Sequence, residues 1–180
     1  VSIIAKAFLF NQQSREGSTR VAREHYDLDA ELYMSFLDPH NQYTCGYFKN
    51  TNSLNVAQEQ KLDLICKKLQ LQKGDRVLDI GCGWGGFAKY AAEHYDVSVT
   101  GITLSQEQLA YAKEFTKGLD VNLRLQDYRD LNDTFDKILV CGMIEHVGYK
   151  NYGEIMNVVH RSLADDGLFL LHTIGDNVSR

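Results

Sequence analysis

The chain has 180 residues, 44% of them hydrophobic, and a net charge of −5. That is enough apolar material for one substantial core, and the acidic balance argues against nucleic acid as the main partner. No apolar run approaches the roughly 18 residues that a membrane-crossing helix needs, and no internal repeat or low-complexity tract is present.

Residues 1–20 start without Met. The apolar stretch 3–10 is short and lacks a signal-peptide layout, and 11–19 is polar, so 1–20 reads as a linker or amino-terminal arm. Lys6, Arg15, Arg20 and Arg23 outnumber Glu16 and Glu24; such a segment either meets an anionic surface or is a solvated arm. Residues 21–37 have a helical pattern, with Tyr26, Leu32, Tyr33, Phe36 and Leu37 near one face. Pro39, the only proline, closes it. Tyr43-Thr44-Cys45-Gly46-Tyr47-Phe48 follows as an aromatic loop. Residues 54–69 form a second amphipathic helix, with Leu54, Ala57, Leu62, Ile65 and Leu69 expected inward.

From there the pattern alternates. Strands are predicted at 77–80, 97–102, 121–125, 135–140 and 168–173, the last introduced by the Asp165-Asp166-Gly167 turn. Helices are predicted at 87–95, 105–117 and 151–163, with Ser105 an N-cap. Strands separated by helices make a parallel sheet with right-handed crossovers. The fold class is therefore α/β, a doubly wound, mostly parallel sheet.

The turn after the first strand is Gly81-Cys82-Gly83-Trp84-Gly85-Gly86. Strand, glycine turn and helix bring backbone close to a nucleotide. Gly81, Gly83 and Gly86 satisfy G-x-G-x-x-G, the dinucleotide pattern; Asp79, Gly81, Gly83 and Gly85 satisfy D-x-G-x-G-x-G, the S-adenosylmethionine pattern. The dinucleotide reading expects an acid at the end of the second strand to hold the ribose. That strand runs into Thr103, and no acid lies between Val97 and Gln106, which disfavours NAD. It also departs from many S-adenosylmethionine enzymes, and leaves Thr103 and Gln108 to bond the ribose.

Ligands in such sheets bind outside the carboxyl ends of the strands. Five sets of polar residues fall there: the glycine turn, Thr103 with Gln108, Gln126-Asp127-Tyr128, Glu145-His146, and His172. Singly each has a plain reading. Asp127 can be a helix cap, His172 a satisfied core histidine and Glu145 a solvated charge. Together at one rim they point to a ligand site. Cys45, Cys66, Cys82 and Cys141 have no paired metal spacing, so no metal centre is expected and a reducing, cytoplasmic compartment is. A proline-rich element after the fourth strand, common in DNA and amide-nitrogen methyltransferases, is replaced by Cys141-Gly142-Met143-Ile144-Glu145-His146. The expected acceptor is a small molecule or lipid.

These stretches carry a family resemblance: Glu24-His25-Tyr26-Asp27, Phe36-Leu37-Asp38-Pro39, the 43–48 loop, residues 77–86, Gly101-Ile102-Thr103-Leu104-Ser105, Gln126-Asp127-Tyr128-Arg129-Asp130, residues 142–148 and Leu170-Leu171-His172-Thr173-Ile174-Gly175. The chain resembles the cyclopropane-fatty-acyl-phospholipid synthases and, more distantly, the mycolic acid cyclopropane synthases. The resemblance implies a class I S-adenosylmethionine-dependent methyltransferase domain over residues 21–180, and that fold adds the strand order 3-2-1-4-5. The implied reaction transfers the S-adenosylmethionine methyl, as a methylene bridge, to the cis double bond of unsaturated acyl chains in phospholipids. It implies a bound bicarbonate ion as base, cradled by Cys45, Glu145, His172 and Ile174, with Cys45 and Ile174 contributing main-chain contacts. Glu145 would hold that anion by a shared proton or through His172, since two bare anions repel. Cofactor contacts carry over to Tyr43, Thr44, Asp79, Gly81, Gly83, Thr103, Leu104, Gln108, Gln126, Asp127, Tyr128 and Arg129. Peripheral association with the inner face of the membrane follows from the substrate. Tyr26, Tyr33, Tyr47 and Phe48 either offer aromatic faces to a cation or are ordinary core.

The departures are Gly46 and Ile144, where alanine and phenylalanine are common in the family. The family's fold also has seven strands, a domain before this region and further residues after it. The chain is expected to be a catalytic-core fragment, truncated after the fifth strand, with weak cofactor binding and little turnover. Residues 168–173 are apolar on both faces without a protecting Lys or Pro, so a homodimer through this sheet edge is expected. The alternatives are a small-molecule N- or C-methyltransferase and a non-catalytic cofactor-binding module.

Overall fold

The computed structural model describes residues 30–175; the arm 1–20, Glu24 to Asp27 and the first part of the 21–37 helix lie outside them. The elements in chain order are α1 (Ala30–Met34), α2 (Leu54–Lys68), β1 (Arg76–Ile80), α3 (Gly86–Tyr95), β2 (Ser98–Thr103), α4 (Gln106–Phe115), β3 (Val121–Leu125), β4 (Phe135–Cys141), α5 (Ile144–Val147), α6 (Tyr152–Ser162) and β5 (Leu163–His172). Two single-turn 3-10 segments stand at Tyr128–Asp130 and Tyr149–Asn151.

The five strands form one parallel sheet in the order β3-β2-β1-β4-β5. The order reverses at β1, so the crevice for a ligand opens between the carboxyl ends of β1 and β4. Alternation along the strands divides the core. Val77, Val99 and Leu139 pack with Leu62, Ile65 and Leu69 of α2 and Phe87, Ala88 and Ala91 of α3. Leu78, Ile80, Ile102, Ile138 and Val140 pack on the opposite face with Ile155, Val158 and Val159 of α6. Side chains such as Leu62, Ile138 and Ile155 are fully buried, each worth about 1.5–3 kcal/mol relative to exposure. Ser105 caps α4, its hydroxyl accepting from the Gln108 N–H at 3.2 Å. The 54–69 helix and strands β1 to β4 stand near their predicted positions.

Four expectations change. The described part of the 21–37 helix ends at Met34; of its expected inward face only Tyr33 is buried, while Leu32 and Phe36 are 56% and 51% exposed. Leu54 is exposed rather than inward, because it is the first residue of α2 and lies beyond the sheet. Lys61 instead sits on the buried stripe. β5 begins at Leu163, directly after α6, and the Asp165-Asp166-Gly167 turn lies within it. Phe135 pairs with Leu163 and Lys137 with Leu168, so the intervening residues loop out of the ladder as an irregularity.

Candidate active site

The glycine turn is built by backbone. Gly81, Gly83 and Gly85 all have positive φ, where a side chain would be strained. The N–H groups of Gly81 and Cys82 both donate to the Ile102 carbonyl, at 2.9 and 3.0 Å, tying the turn to β2. Gly86 is needed for a different reason: a Cβ there would occupy the space of the His40 carbonyl. The chain from Asp38 therefore crosses directly over the start of α3. Asp38 holds that crossing, its carboxylate accepting from the N–H of His40 at 2.9 Å and of Gln42 at 2.8 Å. Trp84, buried in the turn, packs against Tyr33 and Tyr111 with ring centroids 5.1 and 5.5 Å away. Tyr33 is thus a packing residue between the turn and Tyr43.

The segment around residues 41–44, rather than a helix, forms the cover over the carboxyl-end rim; α2 packs on the sheet face beneath it. A cavity of about 220 Å³ lies between. Ten of the expected cofactor contacts line it: Tyr43, Thr44, Asp79, Gly81, Gly83, Thr103, Leu104, Gln108, Gln126 and Tyr128. Trp84 of the glycine turn and His146, both expected at this rim, line it as well; Asn41, Gln42, Ser105 and Met143 also line it, and sequence reasoning had not assigned them there. The Thr103 hydroxyl donates to Gln108 Oε1 at 3.0 Å, so the pair standing where an acid is usual forms one polar unit.

Asp127 and Arg129 do not line the cavity. Asp127 is a cap, accepting from the Arg129 N–H at 2.9 Å, and pairs with the Arg129 guanidinium at 2.9 Å. Arg129 also reaches Glu154 of α6 at 2.9 Å and stacks over Tyr128. The pair fixes Tyr128 at the cavity wall. Two polar groups at the cavity have no partner among the described residues. Tyr128 Oη is buried and unbonded. The Asp79 side chain, 3% exposed, makes no hydrogen bond or ion pair, and burial pushes its carboxyl up to about 7. A buried carboxylate without a partner is costly; a cationic ligand offsets that cost, whereas a pyrophosphate adds to it.

A second centre adjoins the cavity at the ends of β4 and β5. His172 faces Cys141, with Nδ1 to Sγ at 3.5 Å. Cys141 Sγ is 3.9 Å from the Thr44 hydroxyl, and a Cβ on Gly142 would strike the Thr44 methyl. Glu145 Oε1 accepts from the Thr173 hydroxyl at 2.9 Å and the Ile174 N–H at 2.8 Å. Burial raises the Glu145 carboxyl, but these bonds win and hold it below its usual range, so a proton shared on Glu145 is disfavoured. Burial, then the charges of Lys61 and Lys68, lower the His172 imidazole; it is neutral at pH 7. Cys45 is exposed beside Thr44. Cys45, Glu145, His172 and Ile174 thus gather near one corner outside the cavity, joined to it through Thr44, Cys141 and Gly142.

Two α2 side chains support this corner. Gln58 Nε2 donates to the Thr44 carbonyl at 2.8 Å and Lys61 Nζ to the Thr44 hydroxyl at 2.7 Å. Both are 3% exposed. The signal was available: Ala57, Lys61 and Ile65 recur every four residues on the apolar stripe of the helix.

Comparison with known proteins agrees with this geometry. The profile of the mycolic acid cyclopropane synthetase family matches residues 13–180. The cyclopropane-fatty-acyl-phospholipid synthase of Escherichia coli strain K12 is 57% identical over 172 residues, 96% of this chain and 45% of that protein. The solved mycolic acid cyclopropane synthase CmaA1, complexed with SAH and CTAB, superposes with a TM-score of 0.81 at 35% identity, over 85% of this chain and 55% of that one. Coclaurine N-methyltransferase, bound to N-methylheliamine and SAH, gives 0.80 at 30% identity, over 85% and 46%. The chain spans about half the length of the relatives it matches. With residues 13–180 of its 180 matched by the family profile, the chain belongs to the mycolic acid cyclopropane synthetase family.

Proposed function

We propose that this chain is the cofactor-binding and catalytic core, residues 21–180, of an enzyme that forms cyclopropane rings on unsaturated acyl chains of phospholipids. The observation that carries it is the unpartnered Asp79 carboxylate in the crevice between β1 and β4, in a chain 57% identical to a synthase of that name. S-adenosylmethionine supplies a methyl carbon made electrophilic by its sulfonium. Asp79 faces the positive charges of that molecule, Tyr128 and the Thr103–Gln108 unit offer partners for its adenosine, and the glycine turn lets backbone approach it. Exposed Phe36, Tyr43, Tyr47 and Phe48, with Tyr43 on the cavity wall, offer an apolar approach for an acyl chain. They suit peripheral docking on a membrane surface, and the four free cysteines suit the cytoplasmic side. Among the described residues no helix is long and apolar enough to cross a membrane.

Methyl addition to an alkene leaves a cation, and ring closure needs one proton removed from the added methyl. A strong nucleophile would trap the cation. Cys141 is unsuited to that trapping, because burial holds its thiol up at about 11. The corner of Cys45, Glu145, His172 and Ile174 suits a small bicarbonate-like base, as the family resemblance implies, because polar side chains and main chain from separate elements converge there. Glu145, kept as a carboxylate, and neutral His172 orient the corner.

The test is transfer of labelled methyl from S-adenosylmethionine to vesicles of unsaturated phospholipid, using the protein expressed from its full coding region. Label in the acyl chain is expected; transfer to amines alone would overturn the reading in favour of an N-methyltransferase. That second reading rests on the 30% identity to coclaurine N-methyltransferase. Cofactor binding with every acceptor untouched would leave a non-catalytic module.

A further inference from the structure

Lys61 is a buried cation without a counter-ion among the described residues. Its side chain belongs to the inward stripe of α2 and is 3% exposed. Its one hydrogen bond goes to a neutral hydroxyl, Thr44 Oγ1, and no carboxylate lies within ion-pair distance of it among the described residues. Asp38, the buried acid whose field reaches it, is committed to the N–H groups of His40 and Gln42. Cys141 is a neutral thiol at pH 7. Buried ammonium groups are expensive unless paired, and Gln58, three residues earlier, already holds the Thr44 backbone without a charge. If Lys61 served only to anchor this loop, a neutral donor would do so more cheaply.

The ammonium is aimed at the corner where an anion is needed. Thr44, which it touches, precedes Cys45 and contacts Cys141, which contacts His172. We propose that Lys61 is the counter-charge of the anion site, a positioning residue whose buried ammonium makes the corner of Cys45, Glu145 and His172 receptive to a small oxyanion. This rests on the bicarbonate reading above. It answers the repulsion that an anion placed beside ionised Glu145 would suffer. Burial lowers the Lys61 ammonium to about 8 against the opposing fields of Cys141, Asp38 and Cys45, so at pH 7 it remains mostly charged. A cationic cofactor in the adjoining cavity would lower it further, and an anion at the corner would restore it. Anion and cofactor would therefore bind cooperatively.

The test uses the full-length protein, depleted of bicarbonate, with S-adenosylhomocysteine present. Thermal unfolding and the line width of carbon-13 bicarbonate are followed against added bicarbonate, and turnover is titrated in parallel. Wild type should be stabilised and should broaden the signal. Lys61→Gln keeps a donor for Thr44 but loses the charge; its bicarbonate midpoint should rise at least tenfold, with S-adenosylhomocysteine affinity within twofold of wild type. Lys61→Arg should recover most of the response. Gln58→Met, which loosens Thr44 without removing charge, should move the bicarbonate midpoint severalfold less than Lys61→Gln does. A wild-type midpoint in Lys61→Gln, or the same tenfold rise in Gln58→Met, overturns the inference while leaving the bicarbonate reading standing. A wild type indifferent to bicarbonate in all three measurements overturns both. If Lys61→Gln does not fold, Lys61→Met and Lys61→Arg decide by the same comparison.

Discussion

The glycine-turn cavity and the β4–β5 corner lie side by side at the same end of the sheet but are built on opposite principles. The cavity is shaped by backbone. Positive-φ glycines, N–H groups bonded to β2 and a Cβ-free crossing at Gly86 set its walls. Its one charged group, Asp79, is left without a partner. The corner is shaped by side chains from five elements, with Lys61 from α2, Thr44 from the covering loop, Cys141 from β4, Glu145 from α5 and His172 from β5. A backbone-built site tolerates substitution of most side chains around it. A side-chain-built one fails when a single member is removed. Binding and chemistry should therefore come apart under mutation.

The largest separation is expected at Glu145. In the full-length protein Glu145→Gln should lower turnover roughly a hundredfold or more, the range for lost acid–base machinery, while cofactor affinity stays within about twofold. Calorimetry with a label-transfer assay checks this. Equal losses in both would mean that the corner and the cavity form one unit. Gly86→Ala tests the other side. Its methyl would displace the residue 38–42 crossing, a cost of about 1–3 kcal/mol, and it should cut cofactor affinity along with stability, seen together in thermal unfolding with and without S-adenosylhomocysteine.

Asp79 adds a pH dependence to the cavity opposite in sign to usual carboxylate behaviour, since burial favours its neutral form. Burial holds its carboxyl at about 7 in the folded chain, above the usual carboxylate range, so the folded state holds the proton more tightly than the unfolded one. Ligand-free stability should accordingly fall as pH rises from about 4 to 7, by at most about 1.4 kcal/mol per unit. A cationic ligand favours the ionised form, so cofactor affinity should rise over the same window with release of a proton. Asp79→Asn should flatten both slopes and weaken binding about tenfold at pH 8. Calorimetry in buffers of different ionisation enthalpy measures the proton directly.

The smallest effect is expected from Arg129. Arg129→Ala leaves Asp127 and Glu154 without their guanidinium and frees Tyr128. A few-fold loss of cofactor affinity and about 1–3 kcal/mol of stability, the cost of leaving the mostly buried Asp127 carboxylate without its partner, should follow, with turnover of saturated enzyme little changed. A loss of turnover larger than the loss of affinity would place Arg129 closer to the chemistry than the geometry does.

The edge at β5 sharpens the comparison in one further way. Leu171 is 37% exposed and Leu168 to Leu170 are only half-buried. The 180-residue chain should therefore self-associate at high concentration, as light scattering would show, and pairing there should disturb His172 before it disturbs the glycine turn.

Alternation of apolar runs with amphipathic stretches was sufficient to read a parallel sheet, because strand and helix periods are local properties; its order came from the methyltransferase fold that the family resemblance implied. The glycine turn was legible for the same reason: its conformation is dictated by the glycines themselves. Ten of the twelve cofactor contacts that the family resemblance implied line the cavity; of these the glycine turn, Thr103, Gln108, Gln126 and Tyr128 were also placed by the rule that ligands sit at strand carboxyl ends. The β5 ladder irregularity was not legible, since the register of Leu163 against Phe135 depends on how α6 docks. Nor was the burial of Arg129 with Asp127, which depends on Glu154 arriving from another element. The inward turn of Lys61 was decided by tertiary structure as well. A lysine on an apolar stripe can snorkel to solvent or stay buried, and only the packing of α2 against the 43–45 segment settles which. Local sequence determined where the backbone comes close to a ligand; the assembly of five separate elements decided where the charges stand.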